Sequence, residues 1–364
     1  MDYKEISESS VKLRVPVSDI PEHARRLGFY NPEMKTDRDL SVACVSAFSK
    51  LFESKFGKKP VACDLLCATG ARAVRYAKEV GLSVCANDSN ENALELARQN
   101  AQANNVEIEI TNADANMLLA ERSFDIIDID PFGSPFPFMD SAARTTGDYG
   151  LVCITATDTA TLFGVYPEVS ERRYGIPSFS CDFSKELGTR ILLSFVIHEL
   201  AKYNKCFTPV LCYSRRHYVR LFGIVEKSAE KVEELMKKFD FLSVSGDSWH
   251  VGIEEIQSSE NFLVLGKIYL GSLKDSEFCS AALGEANKRG FQAQRFLKEL
   301  MNESNEIFYY ESDAIARKFN LRMKLDEIIF AIARAGFPAS RTAFSESAIK
   351  TSASWQDMER IFKV

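Results

Sequence analysis

The stretch VACDLLCATGARAVRYAKEVGLSVCANDSNENALELARQNAQANNVEIEI, residues 61–110, decides the fold class. It alternates short apolar runs with segments of helical spacing, a pattern typical of βαβ units and a parallel sheet. Asn90 is the predicted N-cap of the second helix. The predicted strands are Val61–Leu66, Leu82–Ala86 and Val106–Ile110, and the predicted helices are Ala71–Val80 and Glu91–Ala103.

The same alternation continues to residue 225. Further helices are predicted at Phe138–Arg144 and from Ser184 to Tyr203. Only Ser214–Tyr218 separates the last two strands, which is too short for a helical crossover, so we expect an antiparallel hairpin at the sheet edge. Four more strands bring the total to seven, and they are Phe124–Ile129, Leu151–Ala156, Thr208–Tyr213 and Val219–Val225.

Composition narrows the class of protein. The 364 residues are 46% hydrophobic and 26% charged with a net charge of −6, which excludes a disordered chain and a surface that is basic throughout. No apolar run of about 18 residues and no signal-like N-terminus occur, so we expect neither export nor a membrane span. The nine cysteines are an odd number without a Cys-x-x-Cys pair, and the four histidines are scattered. This pattern predicts a reduced, cytoplasmic protein without a structural metal.

The chain beyond residue 225 contains an acidic segment followed by a basic one. Glu226–Ser280 carries a net charge of −5, whereas Ala314–Val364 carries +4. Helical patterns at Asp313–Phe319 and Leu325–Ala335, ended by Gly336, precede the β-prone segment Ser340–Lys350. We therefore predict three parts: residues 1–60, which contribute to the cofactor and substrate site, a catalytic domain at 61–225, and an α+β, winged-helix-like C-terminal domain at 226–364.

Polar residues follow the first three predicted strands and indicate the cofactor. Gly70 ends the turn after the first strand, but the three glycines of a dinucleotide fingerprint are absent. Asp88 follows the second strand, where a carboxylate can accept two ribose hydroxyl groups, and Asp114 follows the third, where it can accept the adenine amino group. An N-cap role is the structural alternative for each aspartate. Their order along one sheet edge favours S-adenosylmethionine.

The fourth strand runs into Asp130-Pro131-Phe132-Gly133. This turn resembles the Asn/Asp-Pro-Pro-Tyr/Phe signature of methyltransferases that act on exocyclic amino groups of nucleobases. Asp130 and the Pro131 carbonyl can accept hydrogen bonds from the amino group, Phe132 can stack on the base, and Gly133 permits close approach. Because Asp130 offers only acceptors, it suits guanine, whose N1–H and N2–H₂ are both donors. Together with the strand count, this predicts an α/β fold with the seven-stranded, Rossmann-like sheet of class I S-adenosylmethionine-dependent methyltransferases.

The chain further resembles the tRNA (guanine-N2)-dimethyltransferase family, which modifies guanine 26 of tRNA with S-adenosylmethionine. The resemblance spans nearly the whole sequence and includes motifs that a generic methyltransferase would lack. These motifs are Phe29-Tyr30-Asn31-Pro32 with Arg38-Asp39, Leu151–Thr159, Ala339-Ser340-Arg341-Thr342 and Ile349-Lys350-Thr351.

The resemblance implies roles for individual residues. Arg38 and Arg72 would contact the cofactor and could hold its methionine carboxylate. The other implied cofactor contacts are Asp88, Asp114 and Ala115, beside Gly70. Asp130, Pro131 and Phe132 would act on the guanine, with Phe29, Gly133 and Arg341 binding the tRNA substrate. Separately from the resemblance, the +4 charge of Ala314–Val364 indicates residues that could meet phosphates if they share one face: Arg317, Lys318, Arg322, Arg341 and Lys350.

The sequence departs from the family pattern at two places, and three alternative functions stay open. Many relatives carry zinc-binding cysteine pairs after the last strand, whereas Glu226–Gly266 has no cysteine, so no structural zinc is expected. Glu8-Ser9-Ser10 stands where the family has an acid-Gly-Lys-like sequence. The alternatives are methylation of an exocyclic amine elsewhere in RNA, a nicotinamide-dependent oxidoreductase, and a non-catalytic RNA-binding protein. The sequence leaves the oligomeric state open.

Overall fold

The computed structural model describes residues 3–17, 28–252 and 262–363, and its strands form one large sheet and three small ones. The strands are β1 Tyr3–Glu8, β2 Val11–Pro16, β3 Val61–Asp64, β4 Ser83–Asn87, β5 Glu109–Thr111, β6 Ile126–Ile129, β7 Gly150–Ala156, β8 Lys205–Arg215, β9 Tyr218–Lys227, β10 Phe239–Ser245, β11 Ser248–Val251, β12 Leu263–Tyr269, β13 Tyr310–Glu311, β14 Ala339–Arg341 and β15 Ala348–Thr351.

Helices connect most of these strands. They are α1 Lys35–Phe56, α2 Ala71–Arg75, α3 Glu91–Ala103, α4 Ala115–Glu121, α5 Phe136–Thr145, α6 Thr159–Leu162, α7 Pro167–Tyr174, α8 Ser184–Ala201, α9 Ala229–Met236, α10 Ser276–Lys288, α11 Ala293–Asn302, α12 Ser312–Phe319, α13 Leu325–Arg334 and α14 Trp355–Phe362. A 3₁₀ turn at Pro32–Met34 precedes α1, and a π-helical turn at Tyr76–Val80 continues α2. The segment predicted as one helix from Ala71 to Val80 therefore changes its helical form midway.

The large sheet has the order β5-β4-β3-β6-β7-β9-β8. All its neighbouring pairs are parallel except those of β9, which runs antiparallel to both β7 and β8. The predicted α/β class and seven-stranded sheet are confirmed, as is the hairpin at its edge. Chain order reverses between β3 and β6, and ligands of open α/β sheets bind outside the carboxyl ends of the strands at such a point.

Alternating side chains of the central strands bury the sheet on both faces. Ile127 and Ile129 of β6 join one apolar cluster with helices that include α4, α5 and α8. Ile126, one residue before Ile127, joins a second cluster with helices that include α1, α3 and α10. Because both faces of such a strand are buried, its residues are nearly all apolar. The alternation of apolar and polar residues that marks a half-buried strand is therefore weak here.

The part of the chain after β9 builds two small antiparallel sheets, β11-β10-β12 and β13-β15-β14. Helices α12, α13 and α14 pack on the second of these around a separate apolar cluster that includes Ile315, Ile332 and Met358. The predicted helix pair and the following strands are present there, with Gly336 at φ +94° after α13.

One basic residue proposed for phosphate contact is buried instead. Lys350 on β15 is 4% exposed and pairs with Glu303 at 2.7 Å and with Glu186 of α8 at 3.1 Å. Its ion pair with Glu186 links β15 to α8, which packs on the large sheet. Because its side chain is buried in this way, Lys350 cannot contact RNA. Arg317, Lys318 and Arg322 remain exposed.

Three further observations concern ions, thiols and membranes. Across the described ranges, no cluster of three or more His, Cys, Asp or Glu side chains could hold a metal ion. All nine cysteines carry free thiols. None of the helices in the described part of the chain is both long and apolar enough to cross a bilayer.

Candidate active site

A cavity of about 710 Å³ opens at the carboxyl edge of the large sheet. Its wall includes residues that follow four neighbouring strands: Ala68 after β3, Asp88 after β4, Asp130 after β6 and Thr157 after β7. The segment around the 3₁₀ turn and the β8–β9 turn complete the wall, with Asn31 and Arg216 among others. The volume lies in the usual range for small-molecule sites.

The turn Asp130–Gly133 is fixed to the end of the neighbouring strand. Gly133 has φ +90°, where a side chain would be strained. Its N–H donates to Thr157 Oγ1 at 2.7 Å, and its carbonyl accepts from the Thr157 N–H at 2.8 Å. Two bonds to one residue hold the turn in place, with Pro131 buried beneath it.

Phe132 extends from this turn with 53% of its surface exposed. Its ring meets the edge of Phe29, with centroids 4.8 Å apart and planes at 80°. Both rings line the cavity. The structure therefore brings together the two aromatic residues that are predicted to contact the substrate, although they are more than 100 positions apart in the chain.

Asp130 is held by a guanidinium. Arg72, which is 8% exposed, donates from Nη1 to Asp130 and from Nη2 to Asp37. Burial would lower the pKa of Arg72, but the charges of Asp130, Asp37 and Asp128 outweigh it and raise that pKa. Arg72 lines the cavity as predicted, but both its terminal nitrogens already contact protein carboxylates.

A buried charged layer lies behind this pair, and sequence reasoning missed most of it. Arg220 of β9 binds both oxygens of Asp128 at 2.8 Å, and the Tyr76 hydroxyl donates to Asp128 at 2.6 Å. Burial and the nearby Asp128 charge raise the pKa of Asp64 to about 8. The available signal was a charged residue within an apolar strand, as in Ile-Ile-Asp128-Ile, because such charges are almost always paired.

The cofactor side of the cavity contains Asp88. Its carboxylate accepts the N–H groups of Ala68 and Asn90, each at 2.9 Å. These bonds orient the carboxylate at the cavity wall and leave lone pairs for further donors. Gly70 has φ +72°, and a Cβ there would lie 2.8 Å from the Cβ of Ala97, so its glycine is needed for close packing of α2 on α3.

Asp114 and Ala115 lie at the start of α4. The Asp114 carboxylate caps this helix by accepting the N–H groups of Asn116 at 2.9 Å and Met117 at 3.1 Å. Ala115 is buried in the first turn. Neither residue is part of the described cavity wall, so the N-cap alternative holds for Asp114 and its contact with adenine stays a prediction.

Arg38 and Arg341 occupy very different surroundings. Arg38 lines the cavity and stacks on Tyr30, with its guanidinium carbon 4.5 Å from the ring centre. Arg341, on β14, is outside the cavity wall and pairs with exposed Asp326 at 2.7 Å. The structure thus brings Arg38 to the predicted site and leaves Arg341 on a separate surface.

These groups fit S-adenosylmethionine. The wall provides a carboxylate for hydroxyl donors at Asp88 and a guanidinium for a carboxylate at Arg38, within a cavity large enough for a nucleoside with an amino-acid tail. The start of α2 lines the cavity with Thr69 and Ala71, but the turn before it contains one glycine, Gly70, and lacks the three glycines that bring a pyrophosphate close to the backbone. This disfavours the nicotinamide alternative.

Comparison with known proteins agrees with this geometry. The family model described as N2,N2-dimethylguanosine tRNA methyltransferase matches residues 10–363. A tRNA (guanine(26)-N(2))-dimethyltransferase from Methanosarcina mazei is 30% identical over 98% of this chain and 97% of its own length. One from Methanobrevibacter smithii is 32% identical over 99% and 97%.

A solved structure is similar over the same extent. Trm1 from Pyrococcus horikoshii, in complex with S-adenosyl-L-methionine, superposes with a TM-score of 0.86 at 32% identity. The match covers 98% of this chain and 99% of that one. Because the family model, the relatives and the solved structure all cover almost the entire sequence, the chain belongs to the N2,N2-dimethylguanosine tRNA methyltransferase family.

Proposed function

We propose that this protein transfers methyl groups from S-adenosylmethionine to the exocyclic N2 of guanine 26 in tRNA, giving N2-methylguanosine and N2,N2-dimethylguanosine. The observation that carries this proposal is the turn Asp130–Gly133, fixed by Thr157 and opening into the same cavity as Asp88. An acceptor-rich turn beside a nucleoside site is what methylation of an amino group requires.

The turn acts on the base through acceptors. The lone pair of a guanine amino group is delocalised into the ring, so N2 becomes nucleophilic only when its protons are drawn out of the ring plane. The Asp130 carboxylate and the Pro131 carbonyl accept hydrogen bonds from the two N2–H groups, and Arg72 keeps the carboxylate oriented. Phe132, with its exposed ring against Phe29, stacks on a base that has been extruded from the tRNA.

When bound, S-adenosylmethionine would supply an electrophilic methyl group on its sulfonium sulfur. Transfer to N2 breaks the S–CH₃ bond, leaves the thioether S-adenosylhomocysteine and releases one proton from N2. Asp88 binds the ribose hydroxyls, and Arg38 binds the methionine carboxylate. Arg72, whose terminal nitrogens hold Asp130 and Asp37, contributes its positive charge to the same end of the cofactor. Gly70 shapes the turn that lies against the cofactor, while Asp114 and Ala115 flank the adenine. Of these residues, Asp88, Arg38 and Arg72 line the cavity, which supports their roles most directly.

The tRNA extends beyond the cavity. We assign residues 1–60 to the cofactor and substrate site, 61–225 to catalysis and 226–364 to tRNA binding. Exposed basic residues on and after α12, including Arg317 and Arg322, would meet phosphates, with Arg341 contributing from β14. The free thiols and a tRNA substrate favour the cytoplasm as the working compartment.

Nucleoside analysis tests the proposed function. The protein is incubated with an unmodified tRNA transcript and methyl-labelled S-adenosylmethionine, and the tRNA is then digested and its nucleosides are separated. We expect label in N2-methylguanosine and N2,N2-dimethylguanosine, mapped to position 26 by fragment analysis. Label on an amine at another position would favour the alternative RNA substrate. Absence of label, with folded protein and intact tRNA, would refute methyl transfer.

A further inference from the structure

A buried carboxylate outside the proposed machinery contacts the cavity wall from behind. Glu8 ends β1 in the N-terminal hairpin and is 1% exposed. Its Oε1 accepts from Arg38 Nε and Arg75 Nη1, both at 2.8 Å. Its Oε2 accepts from Arg38 Nη2 at 2.9 Å and from the Tyr30 hydroxyl at 2.7 Å. One side chain thus joins the hairpin to two helices and to the segment before α1.

These bonds fix one edge of the Arg38 guanidinium. Nε and Nη2 face Glu8, and Nη2 also donates to the Asn31 carbonyl at 3.1 Å. Tyr30 covers one face of the group. Nη1 donates no hydrogen bond to any described residue, while Arg38 itself lines the cavity. The remaining donor is therefore held in a defined direction for a ligand.

The charges around Glu8 keep it ionised. Its burial alone would raise its pKa, but the hydrogen bond and charge of Arg38, together with the charge of Arg75, lower that pKa to about 2. Arg75 is itself balanced by Asp39 at 2.8 Å and Glu79 at 3.0 Å. These contacts therefore favour the ionised, acceptor form of Glu8 beside Arg38.

We propose that Glu8 is a positioning residue, which orients Arg38 so that its free Nη1 edge binds the carboxylate of the methionine part of S-adenosylmethionine. The inference rests on the cofactor role proposed for Arg38. It names the contact by which the N-terminal hairpin, which lies outside the large sheet, would support the cofactor site. A guanidinium with one edge fixed loses less rotational freedom on binding a carboxylate than a free one does.

The experiment compares two ligands that differ at the methionine part. S-adenosylmethionine carries the carboxylate, whereas 5′-methylthioadenosine has the same adenosine and lacks it. Calorimetry on full-length Glu8→Gln should show at least 10-fold weaker binding of S-adenosylmethionine and unchanged binding of 5′-methylthioadenosine. Arg38→Gln should give the same split. Glu5→Gln, on an exposed position of the same strand, is the matched control and should bind both ligands as the wild type does.

The double variant Glu8→Gln/Arg38→Gln separates positioning from independent binding. If Glu8 acts through Arg38, the double variant binds S-adenosylmethionine no more weakly than Arg38→Gln alone. Additive losses, equal weakening of both ligands, or unchanged binding in Glu8→Gln would each overturn the inference. Should Glu8→Gln fail to fold, Tyr30→Phe removes one bond to Glu8, and the same ligand split is then required of it.

The outcome is distinguishable from failure of the proposed function. If the wild-type protein methylates tRNA while Glu8→Gln binds S-adenosylmethionine normally, only the role of Glu8 is refuted. If the wild-type protein binds no S-adenosylmethionine, the proposed function itself fails.

Discussion

Arg72 donates a hydrogen bond to Asp130, so the proposed catalytic carboxylate is oriented by a guanidinium that belongs to the helix after β3. The same Arg72 donates to Asp37 at the start of α1. Residues from three separate segments therefore meet at one charge cluster. The acceptor that would contact guanine depends on the packing of α1 and α2 as much as on its own turn.

Replacing the carboxylate tests the chemistry of this turn. We expect Asp130→Asn to lower turnover at least ~100-fold, because the amide replaces one acceptor with a donor. The dissociation constant of S-adenosylmethionine should remain near normal, since Arg38 and Asp88 are untouched. Single-turnover methyl transfer and calorimetry measure the two quantities. Asp140→Asn, on the exposed side of α5, should change neither, and normal turnover in Asp130→Asn would remove Asp130 from the mechanism.

The carboxylate after β4 should control cofactor affinity. Asp88→Ala removes the acceptor for the ribose hydroxyls, and hydrogen bonds to a charged group are worth enough to weaken S-adenosylmethionine binding by roughly 10–100-fold. Thermal melting identifies any added loss of stability, since Ala68 and Asn90 also lose their partner. An unaltered dissociation constant in calorimetry would place the ribose elsewhere.

Stability should depend on pH through Asp64. An unfolded aspartate titrates near pH ~3.9, whereas the folded-state pKa of Asp64 is raised to about 8, first by burial and then by Asp128. Between these values the folded protein holds a proton that the unfolded chain lacks, so this group makes the free energy of unfolding fall as pH rises.

The variant Asp64→Asn removes this titration. We expect it to gain stability relative to the wild type as the pH rises from 5 to 8, as measured by urea unfolding. The amide oxygen of the new asparagine can still accept the hydrogen bond that the Ala73 N–H donates to Asp64 at 3.1 Å. Asp128→Asn should not gain in this way, because burial is outweighed by Arg220 and Arg72, which lower the pKa of Asp128. Parallel pH curves for Asp64→Asn and the wild type would contradict this account.

Removing the charge of the buried Lys350 should lower the stability of the protein. Lys350→Met leaves Glu186 and Glu303 buried without their shared cation, so the free energy of unfolding should fall by about 3 kcal/mol or more. Chemical unfolding measures this decrease. A change below about 1 kcal/mol would mean that the buried pairing contributes little.

Exposed basic residues should instead affect tRNA binding. Arg317→Gln/Arg322→Gln should leave thermal stability unchanged and should reduce the slope of log affinity against log salt by about one for each phosphate that the variant no longer neutralises. Filter binding over a range of salt concentrations measures the slope. Lys231→Gln/Lys237→Gln, which removes two exposed lysines of the acidic stretch, is the control with the same change in net charge. A slope identical to that of the wild type would place the tRNA on another surface.

The sequence predicted the large sheet well because strand and helix periods alternate clearly from residue 61 to residue 225. It also placed Asp88 and Asp130 at strand ends along one edge of the sheet, which follows from topology alone. The residues that it missed are long-range partners. Arg220 and Asp128 are 92 positions apart, and no local pattern states that they meet.

Local signals were less specific than topology. Asp114 has the same context as Asp88, a carboxylate after a strand; its side chain caps α4, and its contact with adenine stays a prediction. Lys350 belongs to a segment of positive net charge, but its side chain points into the interior to pair with two glutamates. Net charge along a segment describes composition, whereas burial is decided by tertiary packing.

The central claim is that the N2 amino group of guanine 26 accepts the methyl group, and one substitution in the tRNA tests it. A transcript with inosine at position 26 differs from the guanosine form only in lacking that amino group. We predict that the wild-type protein binds both transcripts with similar affinity and transfers labelled methyl groups to position 26 of the guanosine form alone. Equal incorporation into the two transcripts would contradict the account.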